Sequence, residues 1–206
     1  CQALGAEVYF GSWDVRDRAA TDEGVQRLMK QAGISASSNG EPLRALVNNA
    51  GLAVGKGPFD EGLDDDWDRM LDTNVKGLLF LARACVHFMG EGSRMVNTGS
   101  IAGKQVYPGG NVYCASKHAV DALSQAMRID LVDRGIGVSQ VCPGAAETEF
   151  SNVRFKGDDR AADAVYHGFD ALVAQDIAEA IEFILSRPSH VLSLIHISEP
   201  TRPLII

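Results

Sequence analysis

The chain has 206 residues, of which 46% are hydrophobic and 22% charged, and it carries a net charge of −8. That size and balance fit one soluble domain with a sizeable core. The acidic charge argues against a nucleic-acid surface, which needs a basic patch, and no apolar run approaches the roughly 20 residues that cross a bilayer. The start of the chain shows no signal-peptide pattern. Cys1, Cys85, Cys114 and Cys142 lie far apart, with no CxxC pair and no Cys/His cluster at metal spacing. They read as reduced thiols of a cytoplasmic protein without a metal site.

Strands alternate with helices along the chain. "AEVYFGSWDV" starts like a strand and breaks at Asp14. "TDEGVQRLMKQAG" predicts a helix capped by Thr21 or Asp22, with Val25, Leu28, Met29 and Ala32 on one face. "LRALVNNAG" is a short strand stopped by Asn and Gly. From Leu63 to about Met89, the recurrence of Trp67, Met70, Leu71, Leu78 and Ala82 predicts a long helix. The acidic run before it, "DEGLDDDWD", lacks the spacing of a calcium loop and suits a helix dipole. "SRMVNTGS" is the next strand, and Ala115 to Arg134 the next helix, buried through Val120, Leu123, Met127 and Leu131. "GIGVSQVCPG" is another strand. "AQDIAEAIEFILSRP" is a last amphipathic helix ended by Pro188. This alternation predicts an α/β fold, a doubly wound parallel sheet with helices on both faces. The irregular stretch from Ala145 to about Gly168 falls where substrate loops of such sheets lie, beyond a strand's carboxyl end.

Chemistry concentrates in "GSIAGKQVYPGGNVYCASK". Tyr113 and Lys117 are four residues apart and share a helical face. A free phenol has a pKa of about 10, and a neighbouring ammonium would favour the phenolate, making Tyr113 a usable acid/base. Ser100, at the end of the preceding strand, could hold a substrate oxygen beside it. YxxxK alone is a weak signal that by itself favours a solvated pair. Trp67, Phe80 and Cys114 read as packing residues, and His118 has no assigned role.

The surroundings add specificity. "NNAG" (48–51), "DTNVKG" with Asn74, and "PGAAET" (143–148) accompany Ser100, Tyr113 and Lys117 in order. Together they resemble the short-chain dehydrogenase/reductase family, from about Asp14 to Val191. The resemblance implies a Rossmann-like fold and a nicotinamide cofactor. It makes Tyr113 the catalytic acid/base and gives Lys117 the nicotinamide ribose. Ser100 would polarise the carbonyl, and Asn74 would hold a relay water. Asp14, Val15, Asn49, Ala50 and Gly51 would line the adenosine side, and Pro143, Gly144 and Thr148 the nicotinamide and its phosphate. "ETEFSNVRFKGDD" and "YPGGNVY" are similar, more narrowly, to NADP-dependent 3-hydroxy acid dehydrogenases, which act on L-allo-threonine, serine or malonic semialdehyde. That implies NADP, with NAD still open, a small-molecule substrate without nucleic acid or membrane, and, for the full-length parent, a homotetramer. Arg154 would meet the substrate carboxylate, or else pin its loop to Asp158 or Asp159. A 3-oxoacyl reductase shares the general motifs, and a cofactor-sensing regulator shares the fold.

The ends complete the expectations. No glycine-rich phosphate turn precedes Asp14, so residues 1–191 read as a family domain lacking its first β-α-β-α portion. The uncovered sheet edge would favour aggregation, and an alternative reading takes the chain as it stands for a non-catalytic fragment of an enzyme. Residues 192–206 open with a run similar to the translation of a sequencing adapter, Leu192 to Arg202. They read as a non-native tail replacing the last strand, although the alternation in "LSLIHIS" also permits an edge strand.

Overall fold

A computed structural model describes residues 5–36 and 41–201. Cys1 and the last residues of the tail lie outside that range. The elements are α1 (Arg18–Gln31), β1 (Ala45–Asn48), α2 (Asp64–Leu71), α3 (Leu78–Val86), β2 (Arg94–Thr98), α4 (Asn111–Leu131), β3 (Gly137–Pro143), α5 (Phe150–Arg154), α6 (Asp159–Ala164), α7 (Ala174–Leu185) and β4 (Ile195–Ser198). The strands form one parallel sheet in the order β1-β2-β3-β4.

Side chains alternate across the two central strands, so each strand feeds two cores. Met95 of β2 and Val138 of β3 pack with Ala82, Cys85 and Val25, with Met127 and Leu131 of α4 against them. Val96 and Val141 point the other way, onto Ala180 and Ile184 of α7. Helices therefore cover both faces, as the alternating sequence predicts. Fully burying a side chain such as Ile184 contributes about 2 kcal/mol.

Five local expectations differ from the structure. Residues 6 to 13 form no strand but an irregular segment whose Phe10 is 87% exposed. Its apolar alternation finds no paired neighbour among the described residues. Helix α1 starts a turn earlier than expected because Asp17, extended at φ −85°, accepts a hydrogen bond from the Ala20 amide; Thr21 is instead buried inside the helix. The long helix is continuous in sequence, but between α2 and α3 it winds as a π-helix over Asp72–Gly77. That wider turn breaks the expected phase: Leu71 is 40% exposed, whereas Leu78, seven residues on, is 6% exposed. Helix α4 begins at Asn111, not Ala115, directly after the Tyr107–Gly110 turn in which Gly109 has φ +74°.

The fifth difference is at the tail. Residues read as a non-native tail supply β4, the edge strand that their alternation also permits, with Gln140 opposite Ile195 and Pro143 opposite Ser198. The edge of β3 carries free donors, and the Gln140 and Gly144 amides bond the carbonyls of Leu194 and Ser198. Ile195 and Ile197 remain 39% and 51% exposed, so backbone pairing more than side-chain burial holds this strand. Arginines tie down the nearby chain. Buried Arg94 donates to the carbonyls of Arg187, Pro188 and Val191, and Arg128 to those of Val138 and Leu194.

Candidate active site

The carboxyl ends of β1, β2 and β3 and the start of α4 converge. Beneath them runs a buried polar chain: Asn48 donates to Asn97 (2.8 Å), and Asn97 to Ser124 (2.9 Å). It locks β1 and β2 to α4 and so fixes where Ser100 and Tyr113 stand. Ser100, just beyond β2, accepts from the Ala102 amide at 3.1 Å and donates to the Pro143 carbonyl at 3.4 Å. Tyr113 and Lys117 sit one turn apart on α4, 7% and 5% exposed.

Burial governs both titrations. It pushes the Tyr113 phenol up to about 12, against a downward pull from the Ser100 hydrogen bond and the Arg154 charge. It pushes the Lys117 ammonium down to about 8. Lys117, expected from its spacing to lower the Tyr113 pKa, turns its ammonium to the Thr98 carbonyl at 3.0 Å, and the Arg154 charge also pulls the phenol down.

Asn74 lies in the π-helical turn and is 1% exposed. Its side chain accepts from the Leu52 amide and donates to the Leu52 carbonyl, both at 2.8 Å, and to Ser116 at 3.0 Å. These bonds tie the loop after β1 to α4. Gly51 stands against this group: a Cβ there would lie 3.2 Å from Asn74 Oδ1 and 3.4 Å from Lys117 Nζ. Asn49 and Ala50 are exposed at the end of β1, and Asn49 accepts from the Thr98 hydroxyl at 3.1 Å.

The other residues singled out in the sequence are more dispersed in their partners. Asp14 is paired with the Arg16 guanidinium at 2.6 Å, which holds its carboxyl below the usual range. Val15 packs so closely on Gly77 that a Cβ there would meet it at 2.9 Å. Thr148 accepts from the Phe150 amide. Pro143 ends β3, Gly144 follows it, and the Gly144 amide donates to the Ser198 carbonyl at 2.7 Å.

A cavity of about 330 Å³ opens beside Tyr113, lined among others by Asp66, Trp67, Met70, Arg154 and Lys156. Arg154, at the end of α5, donates Nη1 to the Tyr107 phenol at 2.8 Å. Its guanidinium lies 5.3 Å from the Tyr107 ring centre and 5.5 Å from that of Tyr113. Nε and Nη2 are buried with no partner among the described residues, an arrangement costing about 1–3 kcal/mol per group. Asp158 does not pin Arg154; it caps α6 by accepting from the Ala161 amide. Lys156 pairs with Asp66 at 2.7 Å. Sequence reasoning left Tyr107, Asp66 and Lys156 unassigned, and it read Trp67 only as packing. Tyr107 was within reach, since it opens "YPGGNVY". Asp66 and Lys156 carry no local signal, because only the fold brings them together.

The donor set suits a dinucleotide's nicotinamide ribose. A lysine ammonium has three donors; Lys117 uses one on Thr98, which leaves others for ribose hydroxyls, while Gly51 keeps the wall beside it thin. Among the described residues no Cys, His, Asp and Glu group could hold a metal ion, and no helix is long and apolar enough to cross a membrane.

Comparison with known proteins agrees with this architecture. The short chain dehydrogenase family profile matches residues 1–159. The NADP-dependent 3-hydroxy acid dehydrogenase YdfG of Salmonella typhi is 41% identical over 191 residues, covering 91% of this chain and 74% of its own. Sulfoacetaldehyde reductase of Chromohalobacter salexigens is 42% identical over 187 residues, 89% of this chain and 71% of its own. Among solved structures, the closed form of serine dehydrogenase complexed with NADP+ superposes with a TM-score of 0.86 at 38% identity, covering 96% of this chain and 77% of that one. A parallel sheet with Ser100, Tyr113 and Lys117 gathered at its carboxyl end is the frame of an oxidoreductase. The chain belongs to the short-chain dehydrogenase family.

Proposed function

We propose that the chain uses NADP to interconvert a small 3-hydroxy acid and its carbonyl form. The observation that carries this reading is Arg154, whose buried Nε and Nη2 have no partner among the described residues and whose guanidinium lies over the Tyr113 ring. Two parallel donors match the two oxygens of a carboxylate. NADP is the cofactor of the similar 3-hydroxy acid dehydrogenase and is present in the similar serine dehydrogenase complex. When bound it would take up or supply the hydride.

The chain's own residues do the rest. Tyr113, held neutral near pH 7 by burial, gives its proton to the forming alkoxide during reduction; for oxidation the phenol must first release that proton, and its phenolate then accepts the one from the alcohol. Ser100 holds the same oxygen by a hydrogen bond. Lys117 holds the ribose, and Asn74 fixes the Leu52 loop against α4. Asp14, Val15, Asn49, Ala50 and Gly51 take the adenosine side, and Pro143, Gly144 and Thr148 the nicotinamide side.

The test compares 3-hydroxypropionate with the neutral 3-hydroxypropionamide, following NADPH formation. Arg154→Ala should raise KM for the acid by at least about tenfold, as expected for losing hydrogen bonds to a charged group, and leave the amide nearly unchanged. Equal effects on both would sink the reading. A sulfonate is a second candidate anion, favoured by the likeness to sulfoacetaldehyde reductase. A higher kcat/KM for sulfoacetaldehyde than for malonic semialdehyde would select it.

A further inference from the structure

Arginine binds carboxylates bidentately only when its plane is fixed, because the guanidinium can otherwise turn about its long side chain. Here the fixing is visible. Tyr107 accepts from Arg154 Nη1 at 2.8 Å, and its ring lies beneath the guanidinium at 5.3 Å. The ring is itself held by close packing. A Cβ on Gly110 would lie 2.5 Å from Tyr107 Cε2 and 2.8 Å from Cys114 Sγ, so the glycine lets the ring lie against the first turn of α4. From the other side, the Arg154 carbonyl accepts from the Gly55 amide at 3.0 Å, which anchors the backbone of the same residue to the cavity wall. With Nη1 taken, the edge remaining is Nε with Nη2, and both are without a partner among the described residues.

We propose that Tyr107 is a specificity-determining positioning residue, whose phenol oxygen holds Arg154 so that Nε and Nη2 face a substrate carboxylate beside Tyr113. The inference rests on Arg154 as the anion receptor and goes beyond it, by assigning the selectivity to a second side chain that touches no reacting atom. Burial raises the Tyr107 phenol above its ordinary pKa despite the Arg154 charge, so it remains a neutral acceptor through the working pH range.

Tyr107→Phe keeps the ring and removes only the oxygen. It should raise KM for 3-hydroxypropionate about tenfold, the scale of one hydrogen bond to a charged group, with kcat changed by less than about twofold and KM for 3-hydroxypropionamide unmoved. Malonate, titrated calorimetrically without turnover, should bind about tenfold more weakly. Added to Arg154→Ala, the change should have no further effect on the acid, since both act through one contact. Equal losses on acid and amide, or a fall in kcat at constant KM, would overturn the proposal. So would a misfolded Tyr107→Phe protein, because the oxygen is assigned no part in folding. The two readings fail differently. If Arg154→Ala discriminates acid from amide and Tyr107→Phe does not, only Tyr107 loses its role. If Arg154→Ala does not discriminate, the anion receptor is wrong and Tyr107 loses its role with it.

Discussion

Replacing Lys117 by methionine should make the protein more stable at neutral pH, and the gain should disappear as the solution becomes alkaline. Lys117 is 5% exposed, and burial lowers its ammonium from 10.5 to about 8. Every tenfold change in a protonation equilibrium corresponds to about 1.4 kcal/mol, so holding the charge inside the fold costs about 3 kcal/mol at pH 7. Methionine has a similar length and no charge, but it loses the hydrogen bond to the Thr98 carbonyl, worth about 1–2 kcal/mol. The net gain is about 1–2 kcal/mol. The sign in pH follows from linkage. Between pH 8 and 10.5 the folded lysine is neutral while the unfolded one still holds its proton, so the parent gains stability as pH rises through that window. Below pH 8 both forms are charged and the deficit is constant. Urea melts of both proteins at pH 6, 7, 8 and 9.5 would show a difference that is flat and then shrinks. Tyr113, raised to about 12, stays protonated in both states below its ordinary value and does not interfere. A difference that does not change with pH, or a destabilised variant at pH 7, would refute the reasoning.

Other outcomes follow from single contacts. Tyr113→Phe should abolish turnover while leaving NADP affinity, measured by fluorescence titration, within about fivefold, since one neutral hydrogen bond is worth about 1 kcal/mol or less; loss of binding would count against its role as the proton carrier. Arg94→Ala removes three hydrogen bonds to the carbonyls of residues 187, 188 and 191 and should destabilise the fold by about 3 kcal/mol in urea melts. Arg94→Lys should recover only part of this, because an ammonium lacks the planar fork. Gly62→Ala would place a Cβ 2.3 Å from Trp67 Cζ2, so the ring must move; a shifted tryptophan emission with a raised KM is expected, and an unchanged spectrum would contradict the contact.

What the sequence disclosed depended on whether a signal was local. The parallel sheet and its helices were legible because apolar periodicity reports burial within one element, and β2, β3 and α7 appear where that periodicity ends. Ser100, Tyr113, Lys117 and Asn74 were legible as a spaced pattern, and the structure gathers them. The strand expected before Asp14 failed because a strand needs a partner, and partners are not encoded in the segment itself. Leu71 was misplaced because spacing arguments assume uniform winding, which the π-helical turn at Asp72–Gly77 violates. The phenol's surroundings were only partly legible for a similar reason. A four-residue spacing shows that Lys117 shares a face with Tyr113, but not that its ammonium turns to Thr98. Arg154 reaches the phenol from α5, beyond the whole of α4 and β3 in the chain, and no local pattern announces it.

The wide turn between α2 and α3 also has a consequence for how the chain tolerates change in length. A π turn holds one residue more than an α turn needs, so Asp72–Gly77 is a stored insertion. Deleting a single residue there would let the backbone close into an ordinary α-helix with its hydrogen bonds intact. The flanking segments would keep their relative rotation, because the residue removed is the one the wide turn absorbs, and Trp67, Met70 and Asp66 would stay on the cavity wall they now line. Such a deletion, sparing Asn74, should fold and keep its substrate pocket, whereas a deletion within α3 would turn one flank by about 100° against the other. Segments of this kind let a helix change its length by one residue while its side chains keep their addresses.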